Sequence, residues 1–152
     1  MLPIYVAYDS GLNQFEQTCV REAMKDFQSA FPDIKVIVFG SEPWSEGDYS
    51  SADWYVKKAN KILQPHSKIK IDADSIINMM MFEPWQRTNP HIDILVTQYD
   101  IAAERANDVS FRVTRGRIIV QSVYRYRRLK TPTQIKAIKT SLWGALLANR
   151  FE

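Results

Sequence analysis

The stretch PIYVAYDSGLNQFEQTCVREAMKDFQSAFPDIKVIVF, residues 3–39, decides the fold class. Residues 3–8 form a short apolar run rich in strand-forming side chains, and Asp9-Ser10-Gly11 is a turn. Phe15, Cys19, Val20, Ala23, Met24, Phe27, Ala30 and Phe31 then recur mostly at three- and four-residue steps, the spacing of one helical face. Asn13 and Glu16 stand as a reciprocal capping pair at the start, and Pro32 stops the helix. Ile34 to Phe39 reads as a buried strand. The unit is β-α-β, with a crossover long enough for the two strands to pair in parallel.

Further on, Ser41 to Ala52 is polar and acidic and reads as a loop. Trp54 to Leu63 is a weaker helix ended by Pro65, and Asp74 to Trp85 a short helix ended near Pro84. Met79, Met80 and Met81 point in three directions on such a helix, so they suit packing rather than metal binding. Ile92 to Gln98 is a strand, and Val109–Val113 with Ile118–Val123 makes a hairpin through Thr114-Arg115-Gly116. Thr131-Pro132-Thr133-Gln134 supplies an N-cap, a Pro at the first helical position and a Gln three residues after the cap. Ile135, Ile138, Leu142, Ala145, Leu146 and Asn149 then line one stripe, interrupted by Gly144, which costs about 1 kcal/mol relative to Ala and fits close packing. With no repeat or linker, this order gives a single-domain α/β sandwich, residues 1–152, with a mixed twisted sheet.

Composition narrows the function classes. A 152-residue chain with 45% hydrophobic content can bury a sizeable core and is not of disordered type. Apolar runs fall short of the roughly 18 residues of a membrane span, and no basic leader precedes one, so neither membrane insertion nor secretion is indicated. The single cysteine, Cys19, excludes an internal disulfide, reads as a buried helix residue and suits a reducing, cytoplasmic setting. The net charge of +3 is strongly polarised: residues 1–110 carry 10 basic and 16 acidic side chains, whereas residues 111–152 carry 10 basic ones against Glu152 alone. Arg112, Arg115, Arg117, Arg125, Arg127, Arg128, Lys130, Lys136 and Lys139, with Tyr124 and Tyr126 interleaved, are therefore candidate contacts for an anionic partner, protein or nucleic acid. The structural alternative is an edge strand over Arg117–Lys130, or pairing with the acidic first part of the chain.

Chemistry-bearing motifs are scarce. There is no Gly-x-Ser-x-Gly, phosphate-binding loop or dinucleotide fingerprint. His66 and His91 are too far apart for a short ligand spacing and read as surface or capping residues. Asp72, Asp74 and Glu83 read as solvated acids about a helix, without the Gly of a calcium loop. Asp33-Ile34-Lys35 matches an acid and lysine of some metal-dependent nucleases, but such a site needs a further carboxylate beside it, with Asp9 and Asp93 available.

From Asp72 to the end, about 80 residues, the chain resembles the archaemetzincin zinc proteases. The resemblance rests on Asp72-Ala73-Asp74-Ser-Ile-Ile, on Leu95-Val-Thr-Gln-Tyr-Asp-Ile101, and on Ile119-Val-Gln-Ser-Val-Tyr-Arg125 followed by a helix. It implies a zincin-like fold in which that last helix is equivalent to the helix carrying His-Glu-x-x-His-x-x-Gly-x-x-His, the zinc ligands and the general base. Here Ser141, Leu142, Ala145 and Phe151 occupy the ligand and base positions, and Ala148 that of the Gly. None of the four can hold zinc in the usual way or take a proton from water, and a metzincin C-terminal subdomain is expected to be lacking. The resemblance thus implies a degenerate, non-catalytic domain with no cofactor, acting by binding a protein partner or its own copies. A nucleic-acid-binding module using residues 112–139 and an unrecognised hydrolase are the alternatives.

Overall fold

A computed structural model of the chain describes residues 2–43, 51–63, 69–103 and 111–149. Phe151, His66, Pro65, Val109 and most of the Ser41–Ala52 loop lie outside these residues, as does the side chain of Asn149.

The opening unit is β1 (Ile4–Tyr8), α1 (Gln14–Ala30) and β2 (Val36–Gly40), with β1 and β2 parallel. Asn13 Oδ1 accepts the Glu16 N–H at 2.8 Å and Glu16 Oε1 accepts the Asn13 N–H at 2.9 Å, which completes the capping box. β2 is not the interior strand its apolar run suggests. It ends the sheet, and Val36 to Phe39 are only half-buried.

The next segment differs most from the sequence reading. Its helix is shorter, α2 (Ala52–Lys58), and Lys61–Leu63 is a strand, β3. β3 pairs antiparallel with β4 (Ile69–Asp72), which leads directly into α3 (Ala73–Met81); a further short helix, α4 (Pro84–Thr88), starts on the proline expected to end α3. Pro84 takes an initial helical position, where its missing N–H has no intrahelical partner to lose. Of the three methionines Met80 is buried, Met79 half-buried and Met81 exposed, as divergent helical directions require.

β5 (Ile92–Thr97) is parallel to β1 on one side and to β8 (Ile118–Ser122) on the other; β7 (Arg112–Arg115) pairs antiparallel with β8 at the edge. The hairpin turns on Gly116 and Arg117, because Thr114 and Arg115, expected in the turn, are still paired in β7; Gly116, at φ 55°, is its first turn residue. The main sheet thus has the order β2-β1-β5-β8-β7, and a small second sheet, β3-β4-β6, uses the two-residue β6 (Ile101–Ala102).

Both faces of the main sheet are covered, so β1, β5 and β8 are buried throughout. Alternate residues Ile4, Val6, Ile94, Val96 and Ile119 meet α1 and the final helix, α5 (Thr131–Asn149), whereas Tyr5, Ala7, Leu95, Ile118 and Val120 meet α2, α3 and α4. The protein is therefore a mixed α/β chain with two mixed sheets and two apolar slabs, one on each face. Residues 124–128 form a 3₁₀ turn between β8 and α5, so Arg117–Lys130 is not an edge strand.

Candidate functional site

α5 begins with Thr131, and the Lys130 carbonyl accepts the Gln134 N–H at 2.9 Å, so the helix starts one residue before a Thr131 cap would place it. Ile138, Leu142, Ala145 and Leu146 enter the slab shared with α1, while Trp143 Nε1 donates to the Ala23 carbonyl at 3.0 Å and its ring meets Phe27 edge-on. Ile135, expected on this stripe, is 44% exposed; the buried side chain in that turn is Gln134.

Leu142 and Ala145, which the resemblance would set at the base and second-ligand positions, are core residues, and Leu142 has no exposed surface. Ser141, which the resemblance would set at the first-ligand position, is buried against β8. Its hydroxyl donates to Gln121 Oε1 at 2.6 Å, and the Gln121 amide donates to the carbonyls of Ser122 at 2.8 Å and Phe111 at 3.2 Å. Ser141 thus directs its proton to a neutral amide, which cannot act as a base. Sequence reasoning missed Gln121, although a lone amide in the apolar run Ile118–Val123 signals a buried polar anchor.

Beside Ser141 lies a groove of ≈ 520 Å³ between the start of β7 and the outer side of α5, lined by Arg112, Tyr126, Thr133, Lys136, Thr140 and Ser141 among others. Arg112 Nη1 donates to the Ser141 carbonyl at 2.5 Å and lies 3.4 Å from its Oγ. No carboxylate among the described residues pairs with Arg112, and burial draws its guanidinium pKa below the ordinary value. Gly144 makes room for it: a Cβ there would lie 3.1 Å from Arg112 Nη1.

The other basic candidates are dispersed. Arg115 lies 3.4 Å from Asp74, Arg125 donates to Asp100 from 3.2 Å and covers the Phe111 ring, and Lys139 meets Asp26 at 2.9 Å. Arg127 clamps both oxygens of the buried Glu16 at 2.8 Å, which raises the guanidinium pKa. Arg117, Arg128, Lys130 and Lys136 are exposed without an acidic partner among the described residues. Only Arg112 and Lys136 of the nine line the groove.

The remaining titratable groups also form no shared centre. His91 is buried, contrary to its reading as a surface or capping residue. Its Nδ1 donates to the Asn89 carbonyl, its Nε2 meets Asp93 Oδ1 at 3.0 Å, and its ring packs on Tyr5 and Trp85. The spacing His91-Ile92-Asp93 puts both groups on one strand face. Asp9 lies at the opposite, carboxyl ends of β1 and β5, where it accepts from Thr97 Oγ1, the Gln98 N–H at 2.9 Å and the Gly11 N–H at 3.0 Å. Burial raises its pKa against these three donors. Asp33, before β2, is at the amino ends, so Asp9 cannot join Asp33 and Lys35 in one metal site. Asp72 caps α3 through the Asp74 N–H, and Glu83 accepts the Tyr55 hydroxyl at 2.8 Å. Among the described residues no cluster of three His, Cys, Asp or Glu could hold a metal ion. Cys19 is a buried free thiol whose pKa burial raises, an unreactive environment. No helix of the described residues is long and apolar enough to cross a membrane.

Comparison of the chain with models of protein families, with curated proteins and with solved structures finds no match.

Proposed function

We propose that this is a non-catalytic, zincin-like domain that works by binding a protein partner through the outer side of α5. The fold reading is supported by a mixed sheet whose terminal hairpin, β7–β8, leads through a short turn to a helix packed across one face, the order that the archaemetzincin resemblance implies. The function reading is carried by one observation: where α5 would present ligands and a base, Leu142 and Ala145 are core and Ser141 is tied to Gln121, while the same helix gives the surface a groove. Such a helix can hold a partner but has nothing with which to activate water.

Selection of a displayed random-peptide library on the immobilised protein tests this, run beside a peptidase assay on a quenched peptide library with and without zinc. Enriched binding peptides and no cleavage are expected. Zinc-dependent cleavage, or the absence of any enriched peptide, would overturn the reading. A second reading, nucleic-acid binding, draws on exposed Tyr124, Arg128 and Lys130, but Arg125 and Arg127, which would extend that track, are engaged by Asp100 and Glu16.

A further inference from the structure

We propose that the groove between β7 and α5 is the docking site for an acidic segment of the partner protein, one of whose carboxylates seats on Arg112. The inference rests on the binding reading above and adds the chemistry of the ligand.

Two facts set this groove apart from the rest of the basic tail. Arg115, Arg125, Arg127 and Lys139 each have an acid from the chain's own first part, whereas Arg112 is half-buried and, among the described residues, is held by neutral oxygens of Ser141 and by no acid. A partly desolvated guanidinium without a counter-ion is costly unless something supplies one, and its planar fork matches a carboxylate. Nη1 is used by Ser141; Nη2 and Nε make no hydrogen bond among the described residues and remain for a ligand. The second fact is that no Asp or Glu among the described residues lines the groove, where Lys136 adds a second positive charge and Thr133 and Thr140 add hydroxyls. The volume of ≈ 520 Å³ lies in the range that receives a few side chains. Gly144 is part of the same arrangement, since any larger residue would press on the guanidinium from below. An acidic peptide fits better than a nucleic acid because two cations make a point of attachment and not a track. Tyr126, the aromatic of the wall, is buried and offers no face for base stacking.

The test is fluorescence anisotropy with a short labelled peptide rich in Glu and Ser, its Lys-for-Glu counterpart, and a labelled single-stranded oligonucleotide. Saturable, salt-sensitive binding of the acidic peptide alone is expected. Arg112→Gln should weaken it about tenfold and Lys136→Glu about fivefold, while Arg87→Gln on α4 leaves it unchanged. Lys136 is exposed and bears no structural contact among the described residues, so its variant reports on binding even if Arg112→Gln disturbs folding. No binding of the acidic peptide, or binding indifferent to Lys136→Glu, overturns the inference. So does tighter binding of the oligonucleotide that both variants weaken, or self-association in sedimentation that both abolish, since a different occupant then fills the groove. If the displayed library yields binders that are not acidic, the inference fails and the binding reading stands.

Discussion

Arg112 and Arg127 belong to one basic tail, yet the fold treats them as opposites. Arg127, in the 3₁₀ turn, reaches back to the buried Glu16 of α1 and neutralises it with two charge-assisted hydrogen bonds. Arg112, at the start of β7, is half-buried but, among the described residues, meets the carbonyl and hydroxyl of Ser141 and no acid. One arginine is neutralised within the fold, and the other meets no acid among the described residues. A run of positive charge in a sequence therefore does not define a binding surface; the distribution of buried acids decides which cations are already spoken for.

The largest effect should come from the helix that carries the groove. Leu142→Glu places a carboxylate next to Ile138 and Leu146 with no cation beside it, and should destabilise the protein by about 3 kcal/mol or more. Thermal melting reads this directly. A melting temperature equal to that of the parent would mean that the inner side of α5 opens on a cleft, and the division into core side and groove side would be lost.

Next comes the paired arginine. Arg127→Ala strands Glu16 in the slab without its partner and should cost about 2 kcal/mol, below the full loss for a buried pair because Arg127 itself is one-third exposed. Urea unfolding measures it. Arg112→Gln should cost less, about 1 kcal/mol or under, since a neutral amide can still donate to the Ser141 carbonyl. If the two substitutions prove equally destabilising, both arginines are structural and the contrast between them disappears.

Gly144→Ala sharpens the comparison with a smaller change. Helix propensity favours Ala by about 1 kcal/mol, offset by the contact at 3.1 Å with Arg112 Nη1, so stability should stay within about 0.5 kcal/mol of the parent while acidic-peptide binding weakens.

Asp9 supplies a pH test of the opposite end of the sheet. Its folded pKa is raised chiefly by burial, so the folded state binds more protons than the unfolded chain once pH exceeds the ordinary carboxylate range. The stability it contributes is fully present below the ordinary carboxylate range and declines as pH rises through the raised folded pKa. The unfolding free energy of the parent minus that of Asp9→Asn should therefore fall with rising pH across this window. A difference that rises instead would show that the hydrogen bonds from Thr97, Gln98 and Gly11 outweigh burial.

Local sequence was enough for the opening β-α-β unit, because the capping pair, the helical spacing and the stop at Pro32 are all read within one segment. It was enough for β5 and for the start of α5 to within a residue. It was also enough to name the tail as basic. Tertiary structure alone decided the rest, each time through partners distant in the chain. Lys61–Leu63 is a strand because β4 pairs with it, against a weak helical pattern. β2 is an edge because β5 takes the other side of β1. Residues 124–128 turn rather than extend because they must bring the chain from the end of β8 to α5, and this sends Arg125 and Arg127 to acids in separate parts of the fold. Ser141 of α5 meets Gln121 of β8 and Arg112 of β7 where the helix packs on the sheet. Periodicity and composition report what a side chain prefers, but hydrogen-bond pairing and charge neutralisation depend on which residue lies opposite, and that is fixed only when the layers close.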